Sequence, residues 1–513
     1  MKHDSAQCRL SEILVQGQDG VEQIFGLIES DPMISGLASD SRLVREGNLF
    51  FALDGVKFKG EDFIPQAIQM GAAAVVMGSQ ERGVAAGLKS MVCAEPRMVL
   101  ASAAARFYPR QPATIVAVTG TNGKTSVANL CQQIWEGLGL KAASIGTLGV
   151  KRHSSDAPSS GLTTPDTISL HQILQELADE GYRHVAIEAS SHGLDQYRLD
   201  GVKIKAAGFT NLTQDHLDYH ATMEDYFKAK SRLFAELLDK DGCAIVNSDD
   251  HYSNLIMDIS HGRGITVIDY GRRLASSSKQ ILVLQTLALS TGMSVTVRIE
   301  EIDYSIEVPF FAEFQLWNLL CAIGLVVSTG IEFKSIMDRK ILSDLKNIPG
   351  RLERIKSIKS NKMVFLDYAH TPDGLNTVLK SLIDYRTISD HKGKIILVFG
   401  CGGDRDRTKR PIMGKIANSL ADIAIVTDDN PRTESAEVIR SEILKAMIEP
   451  RNSHDLKVKI IEIGNRAMAI KEAITIADDH DIIVIAGKGH ESGQTIGTRT
   501  VKFSDLEEIN KWI

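Results

Sequence analysis

The chain has 513 residues, 43% of them hydrophobic and 24% charged, with a formal net charge of −7. A length of that order predicts about three domains, because single cores stop growing at a few hundred residues. The acidic balance argues against nucleic acid as the main partner, and no uninterrupted apolar stretch is long enough to span a bilayer.

The six cysteines are scattered, with no pair at metal-ligand or redox spacing, and the first residues lack an apolar signal core. A reduced, cytoplasmic, monomeric enzyme acting on small molecules is the expectation. In chain order, residues 1–111 read as a small α/β unit. Strand-like runs lie at 48–53, 73–77 and 90–94, and helix-like runs at 62–70 and 96–108. Pro109 and Pro112 stop the last helix and mark a boundary.

Residues 112–349 open with a β-branched run at 114–118, then TGTNGKTS at 119–126 and a helix opening at 127. Further strands are expected at 142–145, 184–189, 206–211 and 243–247, with helices at 167–179, 223–238 and 314–327. The alternation predicts a parallel sheet with helices on both faces. Residues 281–311, β-rich without an intervening helix, read as a small antiparallel add-on. From 350 to 513 the alternation restarts, with apolar strands at 363–367, 394–399, 423–427 and 481–486. The fold class is therefore α/β in three domains: a small N-terminal unit, a central phosphate-loop sheet and a Rossmann-like C-terminal domain.

Strand, glycine-rich loop and helix make a nest of backbone N–H groups for phosphate. Lys124 would reach the terminal phosphates and the Thr125 hydroxyl could bind Mg²⁺. The usual first glycine falls at Val118, so the spacing is a variant. Glu188, ending a strand of the same sheet, is placed to share that Mg²⁺. His216 and His220 have the spacing of a zinc pair, but no third ligand is apparent, and histidine on Mg²⁺ is chemically unusual. The lysines of YFKAKSRLF at 226–234 read first as a solvated helix face. A neutral lysine, however, can take up CO₂ as a carbamate and become an oxygen ligand. In the C-terminal domain each strand ends in a polar loop, and open parallel sheets bind ligands there. Arg432 on the proline-stiffened Asp429-Asn430-Pro431-Arg432 loop suits a carboxylate, Arg410 a second one, and Glu491 an ammonium group. Together they outline a pocket for a zwitterionic, amino-acid-like ligand.

The ordered set GTNGKTS, TTPD, EASSHGLDQYR, DHLDYH, YFKAKSRLF, PGRLE, DYAHTPD, GCGGDRD, DNPR and GKGHE resembles the Mur ligases over nearly the whole chain. These are ATP-dependent amino-acid-adding enzymes of bacterial peptidoglycan synthesis. The resemblance implies that Gly120, Thr121, Asn122, Gly123, Lys124, Thr125 and Ser126 hold ATP, with Asn318, Arg351 and Asp367 nearer the nucleoside. Thr125 and Glu188 would serve one Mg²⁺, and His216 with a carbamylated Lys230 a second. Lys230 is chosen over Lys228 because it alone keeps the family's Tyr-x-x-x-Lys-x-x-Leu-Phe spacing. Ser39, Ser41, Thr163, Thr164, Ser190, Gln196 and Arg198 match positions that hold the UDP-muramoyl dipeptide. Arg410, Asp429, Asn430, Pro431, Arg432, Gly487 and Glu491 match the amino-acid pocket, in the form associated with meso-diaminopimelate. Gly60-Glu61-Asp62-Phe63 departs from the more usual Gly-His-x-Phe. The implied chemistry is two-step, through an acyl phosphate. The alternatives are a lysine-adding relative, a folylpolyglutamate-synthase-like ligase, or a nucleotide-dependent switch that catalyses no ligation.

Overall fold

The computed structural model describes residues 7–14, 21–25, 31–55, 58–78, 89–152, 161–215, 219–273, 279–337, 340–356, 362–389, 392–448 and 458–513. Three principal sheets account for most of the strands described. In the N-terminal sheet, Gly36–Ala38, Asn48–Phe51, Ala74–Met77 and Lys89–Cys93 run parallel, with Val21–Phe25 antiparallel at one edge. Helix Pro96–Phe107 buries Val99, Leu100, Ala103, Ala104 and Phe107 against it.

The central sheet has ten strands. Thr114–Thr119 lies between His184–Glu188 and Ile204–Phe209, both parallel to it. Strands this apolar on both faces need cover on both sides. Helices Lys124–Gly137 and Glu313–Val327 supply one cover, through Leu130, Ile134, Trp135, Leu316, Leu319 and Leu320. Leu170, Leu174 and Leu177 of helix Thr167–Asp179, with Tyr226 and Ile256, supply the other. The antiparallel segment is not a separate add-on. Lys279–Leu289 pairs parallel with Thr266–Gly271, so the meander through Gly292–Ile299 and Ile302–Val308 prolongs the same sheet. The helix expected over 223–238 also divides: Met223–Arg232 is α-helical, Leu233–Leu237 is a π-turn, and strand Leu238–Asn247 follows at once.

The C-terminal sheet has six strands, with Met363–Asp367, Ile482–Ala486, Ile395–Phe399, Ile423–Val426 and Lys459–Glu462 parallel in that spatial order. Lys459–Glu462, half-exposed and short, and the antiparallel edge Glu353–Ile355 are absent from the sequence-level expectation. Of the six cysteines, Cys93, Cys131, Cys243, Cys321 and Cys401 are buried and only Cys8 is partly exposed; all are free. Among the described residues no helix is long and apolar enough to cross a membrane.

Candidate functional site

The phosphate loop turns on Gly123, whose φ of +92° is left-handed, immediately before helix Lys124–Gly137. A Cβ there would run into Asn318 Oδ1, on helix Glu313–Val327, so the loop and Asn318 lie in contact. The Lys124 ammonium donates to the carbonyls of Gly120 and Thr121, each at 2.8 Å. Burial lowers its pKa against the pull of Glu188 and Asp215, and Arg351 adds to the lowering. Thr125 Oγ1 donates to Glu188 Oε2 at 2.9 Å, and the second Glu188 oxygen accepts from the Thr147 N–H at 2.8 Å. Burial raises the Glu188 pKa, opposed first by Lys124. Two hard oxygen donors therefore stand side by side at the foot of the loop, the chemistry Mg²⁺ prefers.

Lys230 is 1% exposed. Its Nζ donates to the Gly120 carbonyl at 2.7 Å and lies 4.4 Å from the Tyr226 ring centre. Burial holds its pKa well below the ordinary lysine value, Lys124 adds repulsion, and Asp215 opposes both. The solvated-face reading of this helix thus fails at Lys230, whose amine points into the loop. His216 lies outside the described residues, and among those described no group of three or more His, Cys, Asp or Glu forms a metal cluster.

Arg351 reaches Thr125 Oγ1 at 3.2 Å and stacks over Tyr368 at 4.4 Å. Asp367, buried, accepts from the N–H groups of Leu352 and Ala369 at 2.5 and 2.6 Å; burial pushes its pKa up to about 6. Thr163, Thr164, Ser190, Gln196 and Arg198 form one network behind Glu188. Thr164 Oγ1 bonds the Glu188 carbonyl and Ser190 Oγ, Thr163 meets Thr147, and Arg198 ties the Thr164 carbonyl to Gln196. Ser41, on the N-terminal sheet's loop, bonds Gln66, while Ser39 is half-buried beside it.

The C-terminal loops hold the remaining residues. Arg432 has a left-handed φ of +51° and donates from Nη1 to the Gly403 carbonyl at 2.7 Å. No carboxylate among the described residues forms an ion pair with it, although its charge acts on Asp404, whereas Arg410 does not stand open as expected. Fully buried, Arg410 is held by Glu434 at 2.8 Å and Glu442 at 2.7 Å, and its guanidinium pulls the Glu434 carboxyl down to about 2. These acids follow the DNPR loop and are separated from Arg410 by 24 and 32 residues, too far to be read as partners from spacing. Asp429, Asn430 and Glu491 gather around the buried Lys488, a residue of the GKGHE motif to which the sequence reading gave no role. Gly487, with φ of +118°, brings its backbone close to Asp429, and Pro431 is buried behind Arg432.

The description "Mur ligase family, catalytic domain" matches residues 33–108, "Mur ligase middle domain" residues 118–326, and "Mur ligase, glutamate ligase domain" residues 350–489. A protein of Mesorhizobium japonicum named UDP-N-acetylmuramoyl-L-alanyl-D-glutamate–2,6-diaminopimelate ligase is 45% identical, over 96% of this chain and 97% of its own. One of the same name from Rhizobium meliloti is 46% identical over 93% and 94%. A solved structure bearing that ligase's name superposes with a TM-score of 0.69 at 31% identity, covering 98% of each chain. A Mycobacterium tuberculosis folylpolyglutamate synthase with ADP, at 18% identity and a TM-score of 0.59, shares the fold over 76% of this chain and 91% of its own. On sequence and architecture together, the chain belongs to the Mur ligase family.

Proposed function

We propose that the chain is an ATP-dependent ligase that joins meso-2,6-diaminopimelate to the D-glutamate γ-carboxylate of UDP-N-acetylmuramoyl-L-alanyl-D-glutamate, in the cytoplasm, during peptidoglycan precursor synthesis. It is proposed to act as a monomer. The names of the full-length relatives support this reading. The observation that carries it is Arg432, a guanidinium that forms no ion pair among the described residues, two positions after Asn430, whose Nδ2 donates to Glu491. Diaminopimelate differs from lysine by a distal carboxylate beside an ammonium group, and this arrangement offers one partner to each.

In this reading the phosphate-loop N–H groups and Lys124 grip the ATP phosphates, with Asn318, Arg351 and Asp367 toward the nucleoside. Ser39, Ser41, Thr163, Thr164, Ser190, Gln196 and Arg198 hold the muramoyl substrate. A γ-carboxylate oxygen attacks the γ-phosphorus, the bond to the β-phosphate oxygen breaks, and ADP leaves. The diaminopimelate amine then attacks the carbonyl carbon of the acyl phosphate; the carbon–oxygen bond breaks, phosphate departs and the amine proton is lost. Thr125 and Glu188 would hold Mg²⁺, whose charge, when bound, offsets the repulsion between two anions. His216 and Lys230 are assigned to a second ion. An amine whose pKa burial holds well below the ordinary lysine value supports this, because attack on CO₂ needs the free base and releases one proton as the carbamate forms.

The test is phosphate release from ATP and UDP-muramoyl dipeptide in parallel with diaminopimelate, L-lysine or no amine. Release should require diaminopimelate, and Arg432→Ala should lower kcat/KM for it about 100-fold while nucleotide binding is kept. Amine-independent release, or unchanged turnover in the variant, would defeat the assignment.

A further inference from the structure

Two lysines are buried among the described residues, Lys230 and Lys488, and the second has no part in the scheme above. Lys488 follows strand Ile482–Ala486, with its side chain fully buried. Its Nζ donates to Asn430 Oδ1 and Glu491 Oε2, both at 3.0 Å, and stands 3.4 Å from Asp429 Oδ1. An ammonium has three donors, and here each is directed at one acceptor. Asp429 and Asn430 belong to the loop after Ile423–Val426, which is separated from Ile482–Ala486 in the sheet by Ile395–Phe399. Lys488 therefore ties two loops together across an intervening strand.

The orientation of both partners follows from donor chemistry. Asn430 Oδ1 also accepts from the Thr495 N–H at 2.9 Å. Lys488 and that N–H can only donate, so the carbonyl side of the amide must face them. The Nδ2 side then points at Glu491 Oε2, at 3.1 Å. Glu491 Oε2 thus receives two hydrogen bonds, whereas Oε1 has none among the described residues on a side chain that is 33% exposed. One carboxylate oxygen is anchored inward and the other is presented outward. Asp429, Glu491 and Lys488 together carry one net negative charge, enough for one ammonium group.

We infer that Lys488 is a positioning residue for the incoming amino acid: without meeting it, the buried ammonium holds Asn430 and Glu491 so that one Glu491 oxygen faces the substrate's distal ammonium. This rests on the amino-acid pocket proposed above. The experiment is the same phosphate-release assay on the full chain, for wild type, Lys488→Met, Glu491→Gln and the double variant, with thermal melting alongside. Diaminopimelate-dependent release by the wild type comes first; if it is missing, the functional reading has failed and not this inference. Given that release, Lys488→Met should raise the KM for diaminopimelate at least about tenfold, the loss of a charged hydrogen bond. The kcat and the KM for ATP should stay near wild type, and Lys488→Gln, which keeps an N–H donor, should recover part of the loss. Because Lys488 acts through Glu491, the two single effects should not multiply in the double variant. Multiplicative effects, a matching rise in the KM for ATP, or failure of both Lys488 variants to fold would each make Lys488 a structural strut and overturn the inference.

Discussion

At the scale of single residues, burial decides what a charged side chain can do. Lys124 and Lys230 both donate to the Gly120 carbonyl, yet only Lys230 is enclosed on all sides. Burial depresses both, Lys230 well below the ordinary value; the more exposed ammonium suits a reversible grip on phosphate and the enclosed amine covalent capture of CO₂. Lys230→Ala is therefore expected to lose ligase turnover by 100-fold or more while ATP still binds, read by phosphate release and nucleotide titration. Short-chain carboxylic acids added to that variant should restore part of the turnover by standing in for the carbamate. Turnover at the wild-type rate in Lys230→Ala would remove the lysine from the chemistry. The neighbouring Lys228 has no such surroundings, which spacing alone could indicate only through a family pattern.

Among elements, the ends of strands matter more than their middles. Helix Arg466–Ile476 begins with a fully buried arginine, and Arg466 meets Asp505 of the last helix, Asp505–Trp512, at 2.7 Å with both side chains buried. Arg466 Nη2 also donates to the Ala486 carbonyl at 3.0 Å, the last residue before the Gly487 to Glu491 loop. Removing one partner leaves the other charge buried and unpaired, so Asp505→Ala should cost about 3–5 kcal/mol in denaturant unfolding of the full chain. A loss below about 1 kcal/mol would show that water reaches Arg466 readily. Most strands, the phosphate loop and the polar strand-end loops were legible because apolar runs, glycines and prolines are local signals. The pairs Arg466–Asp505, Arg410–Glu434 and Lys488–Glu491 were not all so: the first two join residues 39 and 24 apart, and the third is short-range but carries no hydrophobic period. Residues 281–311 were read as antiparallel, which their internal pairing bears out, but as an add-on, whereas the parallel pairing with Thr266–Gly271 is a long-range choice that no local pattern encodes. The π-turn at Leu233–Leu237 escaped for a similar reason, since its side chains keep a helical period until the strand begins.

Across the whole molecule, the phosphate loop is touched from the C-terminal sheet as well as from its own. Asp373, in the first turn of helix Pro372–Ile388, accepts from Asn122 Nδ2 at 3.2 Å and Thr213 Oγ1 at 3.0 Å. A carboxylate there repels the phosphates that the loop is built to receive. Asp373→Asn keeps hydrogen-bonding capacity and removes the charge, so ATP should bind about two- to threefold more tightly at low salt, with the gain fading at 0.5 M salt. Weaker binding at every ionic strength would mean that the carboxylate supports the loop's shape instead.

The cysteine distribution bears on how unfolding of the separate sheets can be followed. With five thiols enclosed in three separate cores and Cys8 alone partly open on the short N-terminal strand, a thiol-specific dye offered briefly to the folded chain should mark a single position. The others become reactive only when their own surroundings come apart. The protein thus carries one attachment point and a set of concealed alarms, which lets the opening of each sheet be timed without introducing a foreign residue.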